Sequence, residues 1–187
     1  SHELEVGRMS EAEGAELLAD LLHLPLAETP EALQSIAKER LGGSPRAIED
    51  FARFVAESGV VVPDEGVWQL DEHRLGVISL PRTHEDILRA RLRALPTNER
   101  SLLEKAATIG ETFWLDASVA LVRAANISRD DPDGPTLQAI AAAGEKTRVA
   151  VGATLRRLTD RGLVVEVPES SIVGERELRF AYAPIWD

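Results

Sequence analysis

LGGSPRAIEDFARFVAESG, residues 41–59, reads as a glycine turn, a cap and a helix, and the surrounding elements take their places from that corner. Glycine enters the left-handed backbone region at little cost, so Gly42 and Gly43 end one helix. Ser44 is a good N-cap, and Pro45 suits the first helical position because the N–H it lacks would have no intrahelical partner. Ile48, Phe51, Ala52 and Val55 then recur at helical spacing and form an apolar face. The start of such a helix carries partial positive charge and N–H groups that suit a phosphate. An ordinary helix–turn–helix corner in a bundle accounts for the same residues without a ligand.

On the N-terminal side, residues 4–6 alternate like a terminal strand. Ser10 and Glu13 form a capping box for a helix with Leu17, Leu18, Leu21 and Leu22 on its face, ended by Pro25. Thr29 and Pro30, as N-cap and first helical residue, begin a helix that buries Leu33, Ile36 and Ala37 and runs to about Leu41. Beyond Gly59 the period changes. VVVPDEGVWQL, residues 60–70, is two apolar runs about a Pro-Asp-Glu-Gly turn, a β-hairpin with Trp68 covering the hairpin or the bundle face. Asp64-Glu65 after an apolar run faintly resembles a Walker B strand, but Pro63 and Gly66 favour the turn. Residues 71–81 read as a connector. Thr83 with Asp86 caps a helix carrying Ile87, Leu88, Leu92 and Leu95, and Pro96 breaks it. The domain boundary falls there, dividing a helical bundle with a hairpin (1–95) from a second domain (96–187).

In the second domain Thr97 caps a helix burying Leu102, Leu103, Ala106 and Ile109, with Gly110 as its stop. Phe113 and Leu115 lead to Asp116, which caps a short helix through Val119, Leu121 and Val122. Residues 126–135, NISRDDPDGP, are turn-rich and acidic and read as a mobile loop. Residues 137–143 form a helical segment. Residues 146–161 form the next helix, with Val151, Leu155 and Leu158 apolar and Gly162 at its end. Residues 163–167 and 177–182 alternate like two strands of a hairpin. Three helices followed by a hairpin is the order of a winged helix-turn-helix. The fold class is therefore mainly α, a helical bundle with a β-hairpin followed by a winged helix.

The 187 residues leave room for one large or two small domains, and the absence of cysteine excludes disulfides and thiolate metal sites. No run of about 18 apolar residues and no signal peptide is present, so the expectation is a cytoplasmic chain without a membrane partner. Ser1-His2 in place of methionine makes the chain read as a fragment of something longer. A net charge of −11 disfavours non-specific DNA binding, which depends on neutralising phosphates.

Catalytic patterns are missing, and no metal site is expected. IAAAGEKT, residues 140–147, echoes the phosphate loop GxxxxGK[ST], but Ile140 and Glu145 occupy both required glycine positions. His84-Glu85 lacks the second histidine of a zinc HExxH helix, and His2, His23 and His73 are isolated. The carboxylates sit on helix faces and in turns and read as solvated.

Two groups of residues remain. Gly43, Ser44, Pro45 and Arg46 place a cation in the first turn of a helix, against the dipole, which suits a phosphate partner. A surface arginine that snorkels explains Arg46 equally well. The helix over 146–161 carries Lys146, Arg148, Arg156 and Arg157, which in a winged helix could meet DNA or another partner. Against DNA, Arg156 and Arg157 lie where basic residues complement the helix dipole, and the hairpin loop EVPESSIVGERE is acidic.

The order and spacing of four stretches resemble the STAND group of AAA+-type ATPases, in the bacterial branch found in multidomain regulators. ELEVGRMSEAEGAELLADLL resembles the last core strand and the first lid helix. LGGSPRAIEDFARFVAESGVVV resembles the GG-[NS]-P corner and its helix. LPRTHEDILRARLRALPTNERSLLEKAATIGETFWLDASVALV resembles the passage from lid into winged helix, and LRFAYAPIWD resembles the stretch that follows.

The resemblance implies a lid whose GxP corner closes over an adenine nucleotide, ATP or ADP, bound mainly by a P-loop core outside this chain. It gives Gly43 and Pro45 that role. Arg46 becomes a candidate sensor of the terminal phosphate, although the branch more often has an apolar residue there. It implies a winged helix that packs against other parts of a parent protein, including its P-loop core and downstream helical repeats. Tyr182 stands where the family usually has histidine, and the stretch 126–146 is longer than the family pattern. On this reading the fragment is not itself an enzyme and binds no cofactor alone. A DNA-binding winged-helix regulator and a nucleotide-independent protein adaptor are the alternatives.

Overall fold

The computed structural model describes residues 8–41, 43–64, 67–125 and 137–183, with backbone alone for 64, 67 and 137–143. The strand expected at 4–6, Gly42, the Glu65-Gly66 half of the turn, the loop expected at 126–135 and the end of the LRFAYAPIWD stretch lie outside the described residues. The chain divides into two compact units, Ser1–Ala94 and Leu95–Asp187. It is mainly helical, with two small antiparallel sheets.

The first unit contains α1 (Glu11–Leu21), α2 (Glu31–Ser35) continuing into a π-helical turn (Ile36–Arg40), and α3 (Pro45–Glu57). β1 (Val61–Asp64), β2 (Val67–Leu70), α4 (Glu72–Val77) and α5 (His84–Ala94) follow. Leu18, Leu33, Ile48, Phe51, Val55 and Ile87 are wholly buried together, each worth about 1.5–3 kcal/mol in water exclusion. The α1 capping box is closed in both directions, Ser10 N to Glu13 Oε2 at 2.7 Å and Glu13 N to Ser10 Oγ at 3.3 Å. The hairpin pairs Val61 with Leu70 and Pro63 with Trp68, and the Trp68 ring stacks on His23 at 5.5 Å.

Several boundaries differ from the sequence reading. Pro25 does not end α1. The helix closes earlier, with His23 at a φ of 55° and bonds from His23 N to Asp20 O and from Leu24 N to Ala19 O, a turn usually made by glycine. Leu21, placed on the apolar face, is 38% exposed. Thr29 is not the cap of α2. Its hydroxyl donates to Pro25 O, and Pro30 takes the cap position with an extended ψ of 138°. Residues 71–81 contain α4, capped by Asp71 Oδ1 accepting from Arg74 N at 2.9 Å.

The second unit contains α6 (Thr97–Ala107), β3 (Thr112–Trp114), α7 (Leu115–Ala125), α8 (Leu137–Asp160), β4 (Val164–Glu166) and β5 (Glu177–Phe180). Its core holds Leu103, Phe113, Leu155, Leu158, Leu163, Leu178 and Phe180. The hairpin read from the sequence pairs Val164 with Phe180 and Glu166 with Leu178. A third strand, β3, joins the other side of β5, giving the order β3-β5-β4. Phe113 thereby reaches Phe180, the rings 5.1 Å apart.

Here too three assignments change. Thr97 is the first helical residue of α6, because Pro96 in extended conformation is the cap and its carbonyl accepts from Glu99 N and Arg100 N. Asp116 lies inside the first turn of α7 instead of capping it. The two helical segments expected at 137–143 and 146–161 are one helix, α8, so IAAAGEKT is helical and cannot be a phosphate loop.

Candidate functional site

The corner at residues 43–46 is built as its residue types require. Gly43 has a φ of +67°, and a Cβ there would lie 2.3 Å from Met9 O. Met9 N in turn donates to Gly43 O at 3.2 Å, tying the corner to the chain just before α1. Ser44 caps α3, its Oγ accepting from Ala47 N at 3.4 Å. Ser44 N donates to Leu41 O, and Pro45 has no N–H, so much of the helix start is satisfied internally. The helix start therefore offers fewer free N–H groups than the sequence suggested. Pro45 and Arg46 are both exposed. Two hollows in this unit, of about 610 and 350 Å3, are lined by other residues, Lys38 among them in both.

Immediately behind the corner helix is a charged cluster that sequence reading missed. Arg91 on α5 is buried, its side chain 1% exposed. Its Nη1 donates to Asp50 Oδ1 at 2.9 Å, its Nε to Glu57 Oε2 at 3.0 Å and its Nη2 to Glu57 Oε1 at 3.2 Å. His84 Nε2 lies 2.8 Å from Asp50 Oδ2. Asp50 and Glu57 are two turns apart on α3, as are His84 and Arg91 on α5, so each pair shares a helix face. The matched seven-residue spacing was the available signal. These carboxylates are structural partners, and Asp50 is not solvated.

The basic residues of α8 do not form one surface. Arg148 is paired with Asp116 of α7. Arg157 Nε donates to Glu99 Oε1 at 2.9 Å, and Arg161 Nε lies 3.1 Å from Glu99 Oε2. Glu99 is 2% exposed, so this pairing joins α6 to α8 from inside the unit. Lys146 and Arg156 are exposed. Two of the four residues proposed for DNA or a partner are thus occupied in holding α8 to its neighbours.

Glu177, at the start of β5, is another carboxylate that is not solvated. Its Oε2 accepts from Ser171 N at 2.5 Å, Ser171 Oγ at 2.7 Å, Trp114 Nε1 at 3.2 Å and Ser170 Oγ at 3.3 Å. These bonds, led by the Ser171 N–H, hold its carboxyl below the ordinary value of 4.5. On the same sheet Arg176 grips Glu166 through Nε at 2.8 Å and Nη2 at 2.7 Å, which lowers the Glu166 carboxyl and raises the arginine.

A groove of about 450 Å3 lies among α6, α7 and α8. Leu102, Val122 and Val151 are among its apolar lining residues, and Lys105 and Lys146 are among its polar ones. Among the described residues no group of three or more His, Cys, Asp or Glu side chains could hold a metal ion, and no helix is long and apolar enough to cross a membrane. Comparison of the chain with protein-family models, with curated proteins and with solved structures gives no match.

Proposed function

We propose that this chain is the regulatory portion of a STAND-type signalling ATPase: a lid that completes an adenine-nucleotide site, followed by a winged helix that couples nucleotide state to effector modules. The observation that carries the reading is the corner at residues 43–46. Gly43 has no room for a side chain, so the backbone position of Pro45 and Arg46 is held against Met9 while their surfaces face outward. A lid needs such a part, a rigid edge that meets a ligand bound mainly by another domain. The element order of the second unit, α6-β3-α7-α8-β4-β5, supports the winged-helix assignment.

The mechanism is a population shift. A lid edge that touches nucleotide more in one state than another biases the equilibrium by that difference alone. The chain supplies neither a phosphate loop nor a base in this scheme, and ATP or ADP belongs to the parent protein's P-loop core. Downstream helical repeats would receive the signal inside the cytoplasm.

Pro45→Ala and Arg46→Ala in the parent protein test the reading. Both substitute exposed positions, so folding survives while nucleotide affinity falls. Unchanged affinity for ADP and ATP in both variants would sink the lid assignment. The DNA-binding reading draws less support, because Arg148 and Arg157 are held by Asp116 and Glu99.

A further inference from the structure

We infer that the second unit self-associates head to tail, the tip of the β4–β5 loop of one copy entering the α6–α7–α8 groove of the next. The tip is Ile172-Val173. Val173 is fully exposed, whereas Ile172 is 46% exposed and so partly covered by its own copy. Val173 and the exposed part of Ile172 form a small apolar tip at the loop apex.

The tip is also fixed in shape. Ser171, immediately before it, is held by Glu177 Oε2 through both its N–H and its hydroxyl. Ile172 N donates to Ser170 Oγ at 3.3 Å, Glu175 N closes the turn onto Ile172 O at 3.1 Å, and Gly174 takes a φ of +82°. Little ordering entropy is therefore left to lose when the tip docks.

The occupant follows from complementarity. The loop carries exposed Glu169 and half-buried Glu175, one oxygen of which is buried, whereas Arg176 is committed to Glu166. The tip is thus apolar with an acidic flank. The groove has the opposite character, with Leu102, Val122 and Val151 inside and Lys105 and Lys146 among its lining, in a chain whose net charge is −11. Nucleic acid and anionic lipid would both meet the acidic flank unfavourably, so a second copy of this chain is the partner that matches. Tip and groove are different surfaces, so the contact is heterologous and propagates to a ring or an open chain. One loop tip buries less than the ~1,200 Å2 of a standard interface, so association is weak and concentration-dependent.

Sedimentation velocity of the whole chain across a concentration series is the test. The wild type gains mass with concentration. Val173→Asp removes the tip, and Ala150→Glu places a carboxylate at the groove. Each variant alone weakens association by about tenfold or more while keeping the wild-type melting midpoint. An equimolar mixture retains one good tip and one good groove, and forms a discrete dimer with nothing larger. A wild type that stays monomeric overturns the inference. So does association that both variants retain, and so does a mixture that remains monomeric when both single variants are folded.

Discussion

Arg91 Nη1 donates to Asp50 Oδ1 over 2.9 Å with both side chains buried, which fixes α5 against the helix that begins at the Gly43–Arg46 corner. The same guanidinium reaches Glu57 two turns further along α3. The corner is thus braced at one end by Met9 and along its helix by Arg91.

Removing that brace should be costly out of proportion to its size. Arg91→Met takes the guanidinium from the buried Asp50 carboxylate and leaves His84 beside it, and loss of one partner of such a pair costs about 3–5 kcal/mol. Asp50→Asn combined with Arg91→Met should recover part of the loss, since the buried charge that Arg91 had balanced is gone. Urea unfolding followed by circular dichroism measures both. Equal stability of the single and the double variant would mean that Asp50 does not feel Arg91.

Gly43→Ala should destabilise the first unit by more than the ~1–2 kcal/mol that a left-handed backbone costs an L-residue, because the new Cβ meets Met9 O. Thermal melting reads the loss. A neutral Gly43→Ala would show that the corner relaxes freely and is no rigid edge.

The Glu177 hub predicts acid sensitivity of the second unit. Its carboxyl is lowered by Ser171, Trp114 and Ser170, so the folded form binds a proton less readily than the unfolded form. The stabilisation is present above the ordinary carboxylate value of 4.5 and is lost as pH falls through the lower folded value. Glu177→Gln should be less stable at neutral pH, and its stability should fall less on acidification. Denaturation midpoints at pH 7 and at pH values below 4.5 test this. Parallel curves for the two proteins would contradict it.

Arg156 and Arg157 are neighbours in sequence with different fates. Arg157→Ala releases Glu99 Oε1 and should lower the melting midpoint of the second unit. Arg156→Ala, at an exposed position, should stay within about 0.5 kcal/mol of wild type. Duplex DNA titrated at increasing salt should give no steep salt dependence, because two of the four basic residues are internally paired. Steep salt-dependent binding lost in Arg156→Ala would restore the DNA reading.

The helices around the central corner were legible because Ser10, Ser44, Pro45 and the apolar periodicity all point to the same boundaries. β3 was not legible, since three residues are too few to show alternation and its identity as a strand comes from pairing with β5. The continuity of α8 was hidden by Gly144, which looks like a break but costs a helix only about 1 kcal/mol among alanines. Asp50, Glu99 and Glu177 were read as solvated because burial of a charge depends on a partner distant in sequence. The corner's chemistry was visible in the sequence, but not that Ser44 and Leu41 already take much of its hydrogen-bonding capacity.

Calorimetric titration of ADP and ATP into this chain, and into a version extended N-terminally through the proposed P-loop core, tests the central claim most directly. The lid account predicts no binding by the chain alone, binding by the extended protein, and weaker binding once Pro45 or Arg46 is replaced by alanine. Tight binding by the chain alone, or an extended protein that binds nucleotide with the same affinity whatever stands at both positions, would contradict it.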